Sequence, residues 1–236
     1  MKLDNLTPYD NLSFLLKGSY GFGKTIAAAS FAKLGPVYLT YWDKKSPIEL
    51  VQFFKRYAPQ LLRNIEYDVY TSQNAGEYLN KMMGLARDCR YVTVINDSVT
   101  TMTSAAVNWS LGFRDNKNKN KDRILPSFDE YKVETSLVTQ ALDICRALPC
   151  HIIWTAHPLP QMKIEDQGDG KVGKVSKTNS IVTYGSKVAG IIPGQFSEIY
   201  HFSKKSDWDS IRGKAIVKYY VSTEQVGDEY AKSNIG

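Results

Sequence analysis

Residues 18–25 read Gly18-Ser19-Tyr20-Gly21-Phe22-Gly23-Lys24-Thr25 and fit G-x-x-x-x-G-K-[ST] at every fixed position. Glycines in such a run let the backbone curl until successive N–H groups point at one phosphate. A helix opening at the run's end adds the positive end of its dipole. The spacing assigns the terminal phosphates of ATP to Lys24 and a Mg²⁺ ligand role to the Thr25 hydroxyl. With no nucleotide present, Lys24 is expected to lie exposed in an open crevice. A dinucleotide fingerprint is excluded, because its third glycine would fall at Ile26.

A phosphate-bound Mg²⁺ also needs a carboxylate at the tip of a nearby strand. The run Val92-Thr93-Val94-Ile95-Asn96-Asp97-Ser98 supplies Asp97 just past an apolar strand. Asp97 also fits a helix N-cap, and the two roles are compatible. Hydrolysis further requires a group that orients water. Asp43, closing the run Val37–Trp42, is a candidate, expected beside the phosphate loop in a parallel sheet. It also reads as a plain surface turn residue. His157, closing His151–Ala156, would face the crevice and could sense the terminal phosphate, unless it is simply a hydrogen-bonded structural histidine.

These side chains need a scaffold that brings strand ends together. Asn11–Lys17 reads as a buried strand, and Thr25–Leu34 as a helix stopped by Gly35-Pro36. Val37–Trp42, Glu66–Thr71, Tyr91–Ile95 and His151–Ala156 read as strands. Two capping boxes, Ser46-Pro47-Ile48-Glu49 and Ser127-Phe128-Asp129-Glu130, open helices to about Tyr57 and Leu148. Ala75–Arg87 and Ser98–Leu111 carry helical spacing. The alternation predicts an α/β fold with a mainly parallel central sheet flanked by helices. Phe196–Phe202 and Lys214–Ser222 predict a C-terminal antiparallel hairpin at the sheet edge.

The chain has 236 residues, 43% hydrophobic and 23% charged, with a formal net charge of +6. Those values exclude collagen-like, disordered and coiled-coil classes. No apolar run approaches a membrane span and no leader is visible, so a cytoplasmic protein is expected. Three scattered cysteines, Cys89, Cys145 and Cys150, lack metal-type spacing and fit a reducing compartment. Two segments break the α/β rhythm. One, Arg114–Arg123, holds five basic and two acidic side chains. The other, Gln161–Gly185, is polar and Gly/Lys-rich without periodicity, and loops this long are functional or disordered. Arg114, Lys117, Lys119, Lys121 and Arg123 could neutralise several phosphates of a polyanion, and Lys171, Lys174 and Lys177 add further cations, although each segment also reads as a plain solvated loop.

In their order, GSYGFGKT, VYLTYWD, VINDS, IIWTAH, PGQFSEIYHF and EYAKSN resemble the RecA-like P-loop ATPases. More narrowly, they are similar to short phage and prophage RecA-like single-strand annealing or recombination ATPases. The resemblance implies one RecA-like ATPase domain over 1–236, with loops inserted at 112–126 and 158–187. It implies a catalytic acid at Asp43, one methylene shorter than the family's usual Glu, and a switch residue at His157. It places DNA-binding loops where the two irregular segments lie. It also implies a homo-oligomer, ring or filament, in which Lys232 or Arg212 of one copy completes a neighbour's ATP site.

The leading reading is therefore a DNA-stimulated ATPase of phage recombination, annealing or replication in the bacterial host cytoplasm. A packaging or helicase-type motor shares the phosphate loop. A nucleotide kinase would need an Arg-rich lid, where Arg114–Arg123 offers mostly lysines. A nucleotide-binding assembly protein with little turnover is the fourth reading, kept open by the short acid at Asp43.

Overall fold

The computed structural model describes residues 11–43, 46–112, 125–164, 175–209, 213–224 and 231–233. The chain begins β1 (Ser13–Gly18), α1 (Lys24–Ala29), β2 (Val37–Tyr41), α2 (Ile48–Tyr57) and β3 (Ile65–Val69). A 3-10 turn, Ser30–Lys33, extends α1. Next come α3 (Ala75–Arg87), β4 (Thr93–Asp97), α4 (Val99–Gly112), α5 (Phe128–Arg146) and β5 (His151–Ala156). The last part holds β6 (Pro158–Ile164), β7 (Val175–Ile181), α6 (Ser186–Ile191), β8 (Glu198–Asp209) and β9 (Lys214–Ser222).

Seven strands form one sheet in the order β3-β2-β4-β5-β1-β8-β9. All neighbours are parallel except β9, which runs antiparallel to β8 at the edge. This is the mainly parallel sheet with a C-terminal hairpin that the alternation predicts. Successive side chains point to opposite faces, so each central strand feeds two cores. Leu15, Tyr38, Val94 and Trp154 pack with α3, α4 and α5 on one face. Phe14, Leu39, Ile95 and Ile153 pack with α1 and α2 on the other. Burial on both faces accounts for the continuous apolar runs of β4 and β5. β3, at the edge, has no fully buried residue.

Four expectations are corrected. The Ser46 capping box does not form, because the cap position of α2 is Pro47 and no side chain caps it. That places Ser46 one residue too early and Glu49 at the second helical position. The Ser127 box does close, with the Ser127 backbone N–H donating to Glu130 Oε2 at 2.6 Å. The fourth strand runs two residues later than expected, so Asp97 ends β4 rather than following it. The segment 158–187 is not one structureless loop. β6 and β7 pair antiparallel from Pro158↔Ile181 to Ile164↔Val175, and α6 follows. That hairpin is held by backbone pairing; β7 is mostly polar, and the two prolines of β6, Pro158 and Pro160, argue against a strand in sequence. Finally, β2, which Asp43 follows, is not the neighbour of β1, since β4 and β5 stand between them.

β8 pairs with β1 only over Glu198–Phe202, and beyond that point it pairs with β9 alone. The distal half of the hairpin therefore runs past the sheet's C-terminal edge. It forms a side wall to the crevice where parallel α/β sheets hold ligands.

Candidate functional site

The loop between β1 and α1 is shaped by two glycines and by one steric constraint. Gly21 and Gly23 have φ of 72° and 87°, in the left-handed region that favours glycine. A Cβ built on either meets nothing within 4 Å, so the loop's concave side is open. Gly18 differs, because a Cβ there would sit 2.7 Å from the Phe202 carbonyl oxygen. The first residue of the loop is thus pressed against the backbone of β8.

Lys24 is not exposed, as the sequence suggested, but only 5% accessible. The reason is that its amine folds back onto the loop, donating to the carbonyls of Gly18 at 2.7 Å and Ser19 at 3.0 Å. Burial lowers its pKa from 10.5 to about 8, an effect the Asp97 charge opposes. The Nδ1 of His157 lies 3.4 Å from the Lys24 Nζ and 3.2 Å from the Gly18 carbonyl oxygen. The imidazole is driven down to about 4 by burial and by the Lys24 charge, so it is neutral at pH 7. Its ring stacks on Tyr20 with centroids 3.7 Å apart, and its backbone N–H donates to Thr100 Oγ1 at 3.1 Å.

Thr25 Oγ1 donates to Asp97 Oδ2 at 2.8 Å, and Thr155 Oγ1 donates to Asp97 Oδ1. Burial pushes the Asp97 carboxyl up, while the two hydroxyl donors and Lys24 hold it down. Beneath it, Thr40 Oγ1 and Tyr78 OH donate to Asn96 Oδ1 at 2.7 and 2.6 Å. This buried network fixes the end of β4 and the aim of its last side chain. The hydroxyl of Thr25 and the carboxylate of Asp97 form a hard oxygen pair beside the open loop, a donor set suited to Mg²⁺.

The site opens into a cavity of about 850 Å³, a volume in the range of small-molecule sites. Gly21, Lys24, Thr25, Asp97 and His157 line it, and so does Asp43 despite its distant strand. One apolar end is lined by Phe53 and Tyr57 of α2. The other is lined by Phe202, Tyr219 and Val221 of the β8–β9 hairpin.

Lys232 lies elsewhere. Its backbone N–H and carbonyl bond to Ile199 of β8 at 2.9 and 2.7 Å, and it does not line the cavity. Arg114, Lys117, Lys119, Lys121, Arg123, Lys171, Lys174 and Arg212 lie outside the described residues, and Lys177 is described only as a backbone position in β7. Sequence reasoning missed Thr155, Tyr20 as the partner of His157, and the hairpin wall. A signal for Thr155 exists, since it is the one polar residue inside Ile152–Ala156. The hairpin wall has no such signal, because only sheet order brings β9 near the loop.

A family profile described as an AAA domain (AAA_24) matches residues 10–234. No curated protein matches the chain in sequence. Among solved structures, the chain is similar to a crystal structure of the RadB recombinase at 15% identity and a TM-score of 0.43, over 82% of this chain and 74% of that one. Among the described residues, no helix is long and apolar enough to cross a membrane.

Proposed function

Because the chain belongs to the AAA domain family AAA_24, we propose that it is a Mg²⁺-dependent ATPase that binds single-stranded DNA and works as a homo-oligomer in phage recombination, annealing or replication. The observation that carries the nucleotide part is convergence. Lys24, Thr25, Asp97 and His157 come from three separate strand ends, yet hydrogen bonds of 2.8 to 3.4 Å link them in two pairs around one open loop. The phage setting rests on the resemblance of the motifs, as does the role of a neighbour's Lys232 or Arg212.

Bound phosphates would draw Lys24 off the Gly18 and Ser19 carbonyls, and their charge would restore its ordinary basicity. Thr25 and Asp97 would hold Mg²⁺, directly or through its water shell. The ion supplies Lewis-acid polarisation of the phosphate oxygens. Asp43, which faces the same cavity, is the candidate to orient water. His157, neutral and in contact with Lys24, is placed to register whether the lysine has moved. The next residue, Pro158, begins β6, so a shift at His157 passes directly into the β6–β7 hairpin. Segments 113–124 and 165–174, which carry the lysines and arginines assigned to DNA except Lys177 of β7, follow α4 and β6 in the chain.

The test is ATP turnover with and without single-stranded DNA, alongside Lys24→Ala. The expected result is DNA-stimulated turnover in the wild type and none in the variant. Turnover that survives in Lys24→Ala, or a wild type that turns over no ATP under either condition, would refute the assignment.

A further inference from the structure

We infer that the nucleotide's base rests on the β8–β9 hairpin, with Tyr219 as its stacking platform and Phe202 and Val221 as its apolar floor. This rests on the nucleotide reading above and names the part of that site which the phosphate motif leaves undefined.

The argument is one of direction. Of the residues suited to the terminal phosphate and Mg²⁺, Asp97 ends β4 and His157 directly follows β5. In the sheet order both strands lie on one side of β1, and β8 and β9 lie on the other. A triphosphate with its terminal group toward Asp97 and its middle over the loop must continue toward β8 and β9. Neighbouring strands are about 4.8 Å apart, so β9 lies roughly 10 Å from β1. That is the offset a ribose and base need.

The hairpin is built to receive a flat ring at that place. Phe202 pairs in register with Val221, and Lys204 with Tyr219, so all four share one face. Phe202, Tyr219 and Val221 line the same cavity as the phosphate loop. The contact is immediate, because Gly18 admits no Cβ against Phe202. Tyr219 is 58% exposed and Val221 49%. Large apolar side chains left open inside a ligand cavity have surface to offer a base. The Lys204 amine lies 6.0 Å from the Tyr219 ring centroid, near enough to steer an electron-rich ring or an α-phosphate. The opposite apolar end, at Phe53 and Tyr57, lies on the β2 side and would require the triphosphate to run in reverse.

The test is titration of the wild type, Tyr219→Ala, Tyr219→Phe and Tyr57→Ala with MgATP and with magnesium tripolyphosphate, which has the phosphates but no base. Loss of one stacking ring typically weakens binding on the order of tenfold. Tyr219→Ala should therefore lose about tenfold for MgATP and nothing for tripolyphosphate, while Tyr219→Phe and Tyr57→Ala keep both. Unchanged ATP affinity in Tyr219→Ala overturns the inference, and so does a loss confined to Tyr57→Ala. An equal loss for both ligands also overturns it, since Tyr219 would then support only the fold of the hairpin. A wild type that binds tripolyphosphate and ATP alike leaves the phosphate reading intact and removes the base platform. A wild type that binds neither removes both.

Discussion

Replacing Lys24 with Met should abolish nucleotide binding and at the same time stabilise the empty protein. The fall of the Lys24 pKa from 10.5 to about 8 corresponds to about 3 kcal/mol disfavouring the charged amine in the folded state. Methionine has similar length and no charge to desolvate. Against this gain stands the loss of donors to the Gly18 and Ser19 carbonyls, about 1 kcal/mol each if water replaces them poorly. The expected net gain is on the order of 1 kcal/mol at pH 7. The pH dependence is the sharper reading. Below pH 8 both folded and unfolded chains hold the proton, so the penalty is fully present. Between pH 8 and 10.5 the unfolded chain binds more protons than the folded one, and stability must rise with pH. From pH 7 to 9.5 the wild type should gain about 2 kcal/mol relative to Lys24→Met, read as urea unfolding free energies without nucleotide. Adding MgATP should erase the slope, because phosphate charge restores the lysine's basicity. Parallel pH profiles for the two proteins would refute the buried, charge-strained lysine.

Gly18→Ala should destabilise the fold by about 1–3 kcal/mol in urea unfolding, because the added carbon meets the Phe202 carbonyl oxygen at 2.7 Å and the sheet must part there. Thr155→Val removes one hydroxyl that holds the Asp97 carboxyl down, so the acid limb of the ATPase pH profile should move to higher pH, and an unmoved limb would deny Thr155 that role. Replacing Lys117, Lys119 and Lys121 with Ala should flatten the salt dependence of single-stranded DNA binding by up to about two in log–log slope, with basal ATP turnover kept. An unchanged affinity and slope would remove that segment as a DNA site.

The fold was legible where one physical signal sufficed. β4 and β5 are buried on both faces, and their apolar runs stand out in any window. α3 and α5 were legible from 3.6-residue spacing, and α5 also from a capping box that does close. The Ser46 box has the same letters and fails, because Pro47 takes the cap position itself. The β6–β7 hairpin escaped for a different reason. Its strands are defined by hydrogen bonds between backbones; β7 is too polar to announce itself, and the prolines at 158 and 160 speak against a strand at β6.

The site divides along similar lines. Gly21, Gly23, Lys24 and Thr25 are contiguous, so their chemistry is written in spacing alone. Asp97 and His157 are recoverable from a local rule, that polar residues at the ends of parallel strands face the ligand crevice. Asp43 shows where that rule stops. It lies two residues past the end of β2 and reaches the common cavity, but β2 is not the neighbour of β1, because β4 and β5 intervene. The burial of Lys24 was hidden for the same kind of reason, since it depends on two carbonyls and a histidine 133 residues away in sequence. What no local rule yields is the side of the loop on which a base would rest. That depends on β8 and β9 joining the far side of β1, which places Phe202 against Gly18 and brings Tyr219 into the same cavity. The part of the site that would choose among nucleotides is therefore set by topology, whereas the part that would bind any triphosphate is set by eight consecutive residues.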